Sequence, residues 1–265
     1  MRNELKRALF KKSNIFLIIG IIILMFINSY YAGWKTALTA AKATDIANME
    51  DVIFYQKYFG NVYRVWSQSY YAIRTLSPLV LVTPYMLTYT MEKFNKYRYL
   101  MISRQGKMKY ILSKIFTIAL SGTIVLGSAE CLFGIISYMF TQHDTSLEFI
   151  SGIVSFKTNY FYEEPLKYFI FIYISHIIFY FSFLFFATGI TAFFKNKIAI
   201  TIIPFLAMTI LDMILPLSMK PNVLMKPHIS ANFSMGSFFM MMTLYIILGV
   251  ILVYISEKIY LKRGN

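Results

Sequence analysis

The feature that most constrains the fold of this chain is a series of six apolar stretches, each long enough to cross a lipid bilayer as a helix. Such a helix needs about 17–25 mainly apolar residues. The chain is 58% hydrophobic and only 14% charged, whereas soluble domains usually carry about 25% charged residues. A soluble fold would therefore leave much of this apolar surface uncovered. The predicted spans are 14–31, 75–91, 115–141, 166–194, 198–217 and 235–256.

These spans predict an all-α, polytopic membrane protein whose six transmembrane helices occupy residues 14–256. Residues 1–13 are predicted to form an amphipathic helix in the membrane interface, because their apolar side chains fall on one helical face and their basic ones on the other. A plain positively charged flank of the first span is the alternative. Residues 257–265 are predicted to be a cytoplasmic tail.

The first two spans each raise a question. The first follows a basic start and precedes the small residues Ala41 and Ala43, as a signal peptide would. Its apolar run is longer than a signal-peptide core, and the small residues lie ten positions beyond it, so we predict a retained helix. The second span is the weakest and contains Pro78 and Pro84, which predict a kinked helix packed against protein.

The distribution of basic residues predicts the orientation. Of the 26 Lys and Arg residues, seventeen lie at the N-terminus, between the second and third spans, between the fourth and fifth spans, or at the C-terminus. Seven of these seventeen lie in 93–114. Because lysine and arginine are concentrated in cytoplasmic loops, both termini are predicted to be cytoplasmic. The net charge of +14 is better explained by interaction with anionic lipid than by binding of nucleic acid, because the basic residues are distributed over the loops between spans.

Three segments are then external: 32–74, 142–165 and 218–234. The first two are rich in aromatic residues, which favour the membrane–water boundary. Pro165 suits the first position of the fourth helix. Prolines in and before the third segment break the fifth span and predict a short hairpin or re-entrant piece.

The basic segment 92–114 has a pattern of its own. Apolar and aromatic residues recur along it at helical spacing, and Gly106 interrupts them within a polar stretch. We predict two short interfacial helices joined by a polar elbow; a solvated loop that only sets topology is the alternative. The chain contains no P-loop, so if transport uses ATP, another chain must hydrolyse it.

The order of these features resembles the membrane subunit of a bacterial ABC-2-type transporter. The resemblance rests on four features: an amphipathic basic N-terminus, six spans, a long basic loop after the second span and a proline-broken segment after the fifth. That loop reads YRYLMISRQGKMKYILSK over residues 97–114 and is similar to loops in the permeases of Gram-positive peptide and bacteriocin export or immunity systems.

The resemblance implies a non-catalytic permease in the bacterial cytoplasmic membrane. Loop 92–114 would act as a cytoplasmic coupling helix against an ABC ATP-binding subunit, which would bind ATP and Mg²⁺. A second permease copy would complete a homodimer, and the cargo would be an amphipathic peptide. An ATP-independent carrier or a membrane sensor or immunity protein is the alternative. The implied ATPase-facing residues are Arg98, Tyr99, Arg104, Gln105, Gly106, Lys107 and Lys109.

Two acids inside spans are candidate residues of a translocation path, because ionisable side chains in a membrane are usually functional. Glu130 lies in the middle of the third span and Asp212 late in the fifth. The alternatives are a buried hydrogen bond for Glu130 and a carboxylate in interfacial water for Asp212. The three histidines lie in separate segments without metal-ligand spacing, so we predict no metal site. The single cysteine, Cys131, excludes an intramolecular disulfide.

A protease is a further alternative. Glu163 and Glu164 precede the span that contains His176, which is similar to CPBP-type intramembrane proteases. That pattern requires arginine at the position of Tyr168 and phenylalanine at the position of Ile172, so the chain departs from it. The two glutamates are better explained as acids that interact favourably with the start of a helix.

Overall fold

The computed structural model describes residues 2–40, 48–82, 85–93 and 97–263, and within these ranges the chain folds into helices without a β-strand. The predicted all-helical fold is confirmed for these residues. Among the described residues, five helices are long and apolar enough to cross a membrane, against six predicted. They are Lys12–Thr39, Lys107–Phe140, Pro165–Thr191, Lys197–Ile214 and Met235–Ile259.

The chain begins with α1 (Arg2–Leu9). Ala8 is buried and Lys6 and Arg7 are exposed, as the amphipathic pattern requires. The first long helix follows as α2 (Lys12–Ser29), a π-helical turn (Tyr30–Trp34) and α3 (Lys35–Thr39). The chain therefore stays helical well past the predicted end at residue 31, with a kink at Gly33, whose φ of 171° and ψ of −33° are not helical. Ala41 and Ala43, considered above for signal-peptide cleavage, lie outside the described residues.

The second predicted span is where the structure departs most from hydropathy. After α4 (Met49–Phe59), the chain forms α5 (Val62–Val82) and α6 (Met86–Lys93). Helix α5 starts well before residue 75, where the predicted second span begins. It contains polar residues and is therefore not among the five helices that are apolar enough to cross a membrane. It nevertheless packs against α2 and α8. Pro78 lies inside α5, and Pro84 is outside the described residues.

The basic segment folds as one short helix and the beginning of a long one. Helix α7 (Tyr97–Gln105) ends at Gly106, and α8 (Lys107–Phe140) runs for 34 residues without interruption. The predicted break at Gly106 is confirmed. The second short helix is instead the first part of α8, because no helix-breaking residue separates Lys107 from the third span.

The remaining elements alternate long helices with short turns. The predicted position of Pro165 at the start of a helix is confirmed. The predicted re-entrant segment 218–234 contains a 3₁₀ turn (Leu217–Met219) and one short helix, and the last helix extends through most of the predicted tail. The helices are α9 (Leu147–Ile150), α10 (Thr158–Glu163), α11 (Pro165–Thr191), α12 (Lys197–Ile214), α13 (Pro221–Leu224) and α14 (Met235–Arg263).

Helix α8 is the centre of the bundle and contacts α1, α2, α5, α7, α11 and α14. Helices α11 and α14 approach most closely where Gly189 faces Gly249: a Cβ on Gly189 would lie 2.9 Å from the Gly249 Cα. Small residues allow membrane helices this close contact. We call the end of the bundle that carries α1 and the start of α8 the basic end, and the end where α8 finishes and α11 begins the distal end.

Candidate functional site: a basic elbow and an intramembrane acid cluster

The elbow between α7 and α8 projects several of the predicted coupling residues into solvent. Tyr99, Arg104, Gln105 and Lys109 are exposed. Gly106 has φ +79° and ψ 150°, a conformation that is essentially confined to glycine. A Cβ at Gly106 would meet no atom within 4 Å, so its conformation, rather than crowding, calls for glycine here.

Two other predicted coupling residues differ from this group. Lys107 is partly buried, and its Nζ lies 5.0 Å from the centroid of the Tyr254 ring on α14. This contact ties the start of α8 to the last helix. Arg98 lies within α7, but its side chain is outside the described residues.

An open groove runs along one face of α8 beside the elbow. It has a volume of about 800 Å³, and its lining combines polar and apolar side chains. Because Leu112 and Phe116 are 46% and 40% exposed, the groove presents apolar surface next to the basic elbow. Its lining residues are Gln105, Lys109, Leu112, Ser113 and Phe116.

Lys114, at the base of this face, forms a buried charge cluster that the sequence did not reveal. Its Nζ lies 2.7 Å from the Glu4 carboxylate of α1 and 2.6 Å from the Glu92 carboxylate of α6, while its side chain is 2% exposed. It also donates a hydrogen bond to the Tyr85 hydroxyl at 3.2 Å. Lys114 therefore joins α1 and α6 to α8 at the basic end.

The C-terminal helix joins the basic end through a second buried acid. Glu257 is fully buried and accepts a hydrogen bond from the Tyr89 hydroxyl of α6 at 3.2 Å. Ser256 is also buried and donates to the Ala192 carbonyl at the end of α11 at 2.8 Å. The last residue of the predicted last span and the first residue after it are thus part of the bundle.

Glu130 lies inside the bundle, in the distal half of α8, and is fully buried. Its carboxylate accepts hydrogen bonds from the Tyr180 hydroxyl and, at 3.5 Å, from the Tyr70 hydroxyl. The third partner is His176, whose Nδ1 lies 3.3 Å from Oε2. Helices α5, α8 and α11 all contribute to this acid cluster, which we define as Glu130, Tyr70, His176 and Tyr180.

The segment between α12 and α14 closes the acid cluster. His228 is fully buried, with its ring centroid 6.4 Å from that of His176 and 5.7 Å from that of Tyr70. Burial, together with charge repulsion from His176 and Lys226, lowers the pKa of His228 to about 3, so the ring is neutral near pH 7. Lys226 is 5% exposed, and its Nζ lies 3.5 Å above the Tyr71 ring.

Three imidazole nitrogens in this region lack a hydrogen-bond partner. They are Nε2 of His176 and both ring nitrogens of His228. The Ser67 backbone faces His228 and raises the pKa of its ring, against the larger lowering by burial. Buried polar atoms are usually paired, so this group of imidazoles is unusual for the interior of a protein. Across the described ranges, no three His, Cys, Asp or Glu side chains are arranged to hold a metal ion.

Asp212, the other acid predicted to line a path, belongs to a different cluster. It is partly buried near the end of α12 and accepts a hydrogen bond from the Asn222 amide at 2.8 Å. That bond fixes the start of the segment that carries His228. Glu130 and Asp212 thus have separate hydrogen-bonding partners. Both lie close to the segment between α12 and α14, Asp212 through Asn222 and the acid cluster through His228.

A cavity of about 300 Å³ opens sideways next to Glu130 between α5, α8 and α11. This volume is at the lower limit of small-molecule sites. Its wall consists almost wholly of apolar and aromatic side chains, and Glu130 also lines it. The aromatic lining residues are Tyr63, Trp66, Tyr138, Phe169 and Tyr173.

Sequence reasoning found Glu130 but not its partners. Tyr173, His176 and Tyr180 occur at helical spacing of three and four residues on α11, which places them on one face. That spacing was the available signal, although it did not point to Glu130. The protease pattern is not assembled by the structure, because Glu163 is exposed at the end of α10 and His176 contacts Glu130 instead.

Comparisons of the chain with protein-family models, curated proteins and solved structures found no match.

Proposed function

We propose that the chain is the transmembrane permease subunit of an ATP-driven exporter, which moves amphipathic peptides or similar hydrophobic cargo across the bacterial cytoplasmic membrane. The observation that carries this proposal is the continuity of α8. One helix runs from the exposed elbow at Gly106 to Phe140 at the distal end, which is about 50 Å at 1.5 Å per residue. A push on the elbow is thereby transmitted past Glu130.

The elbow has the chemistry of a docking surface for a partner with acidic residues. Arg104 and Lys109 are exposed beside the groove in which Leu112 and Phe116 offer apolar surface. Charges at the rim of an interface mainly set association rate and orientation, whereas buried apolar contacts provide more of the affinity. In the proposed complex, the partner is a separate ABC ATPase that binds ATP and Mg²⁺.

The Lys114 cluster supports the same mechanism. Removing one partner of a buried ion pair costs about 3–5 kcal/mol, so α1, α6 and α8 are expected to move together at the basic end. A force on the elbow then reaches three elements at once. In this proposal the basic end faces the cytoplasm, both termini are cytoplasmic, and α1 lies in the membrane interface.

The sideways cavity supports a hydrophobic cargo. Its aromatic wall offers apolar contact to side chains or acyl chains, and it lies beside the acid cluster at the distal half of α8. A pair of permeases is proposed to form the full path, with Glu130 and Asp212 acting on the conformation of its distal part.

The experiment is co-expression with an ABC ATPase from the same genome, followed by co-purification and an ATPase assay. We expect the double variant Arg104→Glu with Lys107→Glu to lose the complex and the stimulated ATPase activity. The matched control is Lys195→Glu with Lys197→Glu, which reverses two exposed charges in the turn between α11 and α12. The coupling assignment is wrong if the first variant behaves like the control.

An ATP-independent carrier is the second candidate function, and the acid cluster is the observation that favours it. Carriers often place ionisable residues in the middle of the membrane. In that case, the purified chain alone would move cargo into liposomes, and Glu130→Gln would stop this movement. A requirement for the ATPase would exclude the carrier.

A further inference from the structure

The sideways cavity beside Glu130 offers few free polar groups to a ligand. The Glu130 carboxyl group already accepts hydrogen bonds from Tyr180 and Tyr70. The Tyr173 hydroxyl donates to the Gly127 carbonyl at 3.1 Å. A peptide segment would bring backbone amide and carbonyl groups that need such partners. The wall therefore suits a part of a ligand that has no polar groups, such as a hydrocarbon chain.

Several side chains that line the cavity are also exposed on the outside of α8 and α11. Both helices are among those that are long and apolar enough to cross a membrane, and the apolar surface of such a helix lies in the hydrocarbon core of the bilayer. The cavity is therefore continuous with the surface that contacts lipid. The lining side chains that are more than half exposed are Ile135, Met139, Leu166 and Ile170.

The cavity also has the length of one leaflet. Along α8 it extends from Glu130 to Met139, which is about 13 Å at 1.5 Å per residue. One leaflet of the hydrocarbon core is about 15 Å thick, half of the whole core. Tyr63 and Tyr138 line the cavity at the distal end, where the backbone before α5 pairs with the backbone after α8. Tyrosine favours the boundary between hydrocarbon and water, so this end suits the ester group of a lipid.

We propose that the cavity binds one acyl chain of a membrane phospholipid between α5, α8 and α11, with the ester end of that chain at the distal end of the bundle. Gly134 leaves room for it in the wall, because a Cβ there would have only Nε1 of Trp66 within 4 Å outside its own helix, at 3.9 Å. The proposal goes beyond the exporter function, since a bound lipid requires neither ATP nor cargo.

The test is native mass spectrometry of the full chain released from phosphatidylcholine nanodiscs. We expect one phosphatidylcholine molecule per chain. Gly134→Leu places a side chain in the cavity and should lower the lipid-bound fraction at least fivefold. Gly20→Leu is the matched control, because a Cβ at this glycine of α2 also has open space around it, and it should keep the lipid. The proposal is overturned if the unmodified chain carries no phospholipid, if a peptide or a second copy is bound instead, or if Gly134→Leu retains as much lipid as the control.

A second measurement does not depend on the folding of Gly134→Leu. The chain has two tryptophans, so Trp34→Phe leaves Trp66, which lines the cavity, as the only one. Bromine atoms in the middle of a phospholipid acyl chain quench the fluorescence of a tryptophan that they contact. We expect Trp66 to fluoresce at least twofold less in brominated than in unbrominated phosphatidylcholine nanodiscs, and equal fluorescence overturns the proposal. Both measurements are made without an ATPase or cargo, so they stand apart from the test of the exporter function.

Discussion

At the scale of single residues, the molecule depends on two buried ionisable side chains of α8, Lys114 and Glu130. They lie about 24 Å apart along the helix at 1.5 Å per residue. The sequence marked Glu130, because an acid in an apolar span stands out. It left Lys114 among the solvated charges, because the partner acids Glu4 and Glu92 come from distant parts of the chain and only the fold brings them together.

Loss of the Lys114 charge should destabilise the protein. Lys114→Met leaves Glu4 and Glu92 without their cation, and since these carboxylates are 18% and 24% exposed, we expect a cost near the lower end of the about 3–5 kcal/mol range for a broken buried pair. Thermal unfolding in detergent measures it. Lys109→Met is the matched control, because it removes an exposed lysine from the same helix. Equal melting temperatures would contradict the burial argument.

His228 should make stability sensitive to acid. Its folded pKa of about 3 lies below the usual value of about 6.5, so between these values the unfolded chain binds a proton that the folded chain excludes. Stability contributed by neutral His228 is present above about pH 6.5 and is lost as the pH falls, by about 2 kcal/mol at pH 5.

The check is the change in melting temperature between pH 7 and pH 5. His228→Phe should show a smaller decrease than the unmodified chain. His143→Phe alters an exposed histidine and should keep the full decrease contributed by His228. The same decrease in His228→Phe as in the unmodified chain would show that this histidine is not the source.

At the scale of elements, the elbow at Gly106 is directly continuous with the long helix α8. Local sequence could place the break, since Gly106 interrupts the helical pattern of the basic segment. It could not show that Lys107 begins a 34-residue helix, because the length of a helix depends on which helices pack along it. Helix α8 is held by α2, α5 and α11 over most of its course.

Gly106→Ala should disturb the elbow and spare the bundle. The backbone conformation at Gly106 strains any residue with a Cβ by about 1–3 kcal/mol, although there is open space around it. We expect weaker association with the ATPase and a melting temperature close to that of the unmodified chain. Gly20→Ala is the control, because that glycine lies in α2 and also has no atom within 4 Å of a built Cβ. Normal association in Gly106→Ala would argue against a defined elbow.

The stability of the close contact between α11 and α14 should be lowered by one added methyl group. A Cβ on Gly249 would collide with the Phe185 carbonyl and the Phe186 amide, and the backbone has no rotamer with which to escape. Gly249→Ala should therefore cost about 1–3 kcal/mol, the usual range for overpacking. Gly236→Ala, in the same helix with ordinary space, should cost less than half as much. Similar melting temperatures would mean that the helices separate easily.

At the scale of the whole molecule, hydropathy predicted six spans, and five of them correspond to long apolar helices among the described residues, while the second does not. Helix α5 contains Gln68 and buried Ser67, Ser69 and Tyr70, which lower its hydropathy although its neighbours surround it. The prolines after α12 predicted a broken segment. Its burial of His228 was not predictable, since the cavity that receives this ring is made by α5 and α11.

The whole-molecule proposal, a permease that a separate ATPase drives through the elbow, is tested most directly by isolating the tagged chain from its native membrane without prior crosslinking. We predict that a P-loop ATPase copurifies in a ratio near one to one, and that Arg104→Glu with Lys107→Glu removes it while the permease remains folded. Isolation of a stable chain that moves cargo into liposomes with no ATPase present would contradict the account.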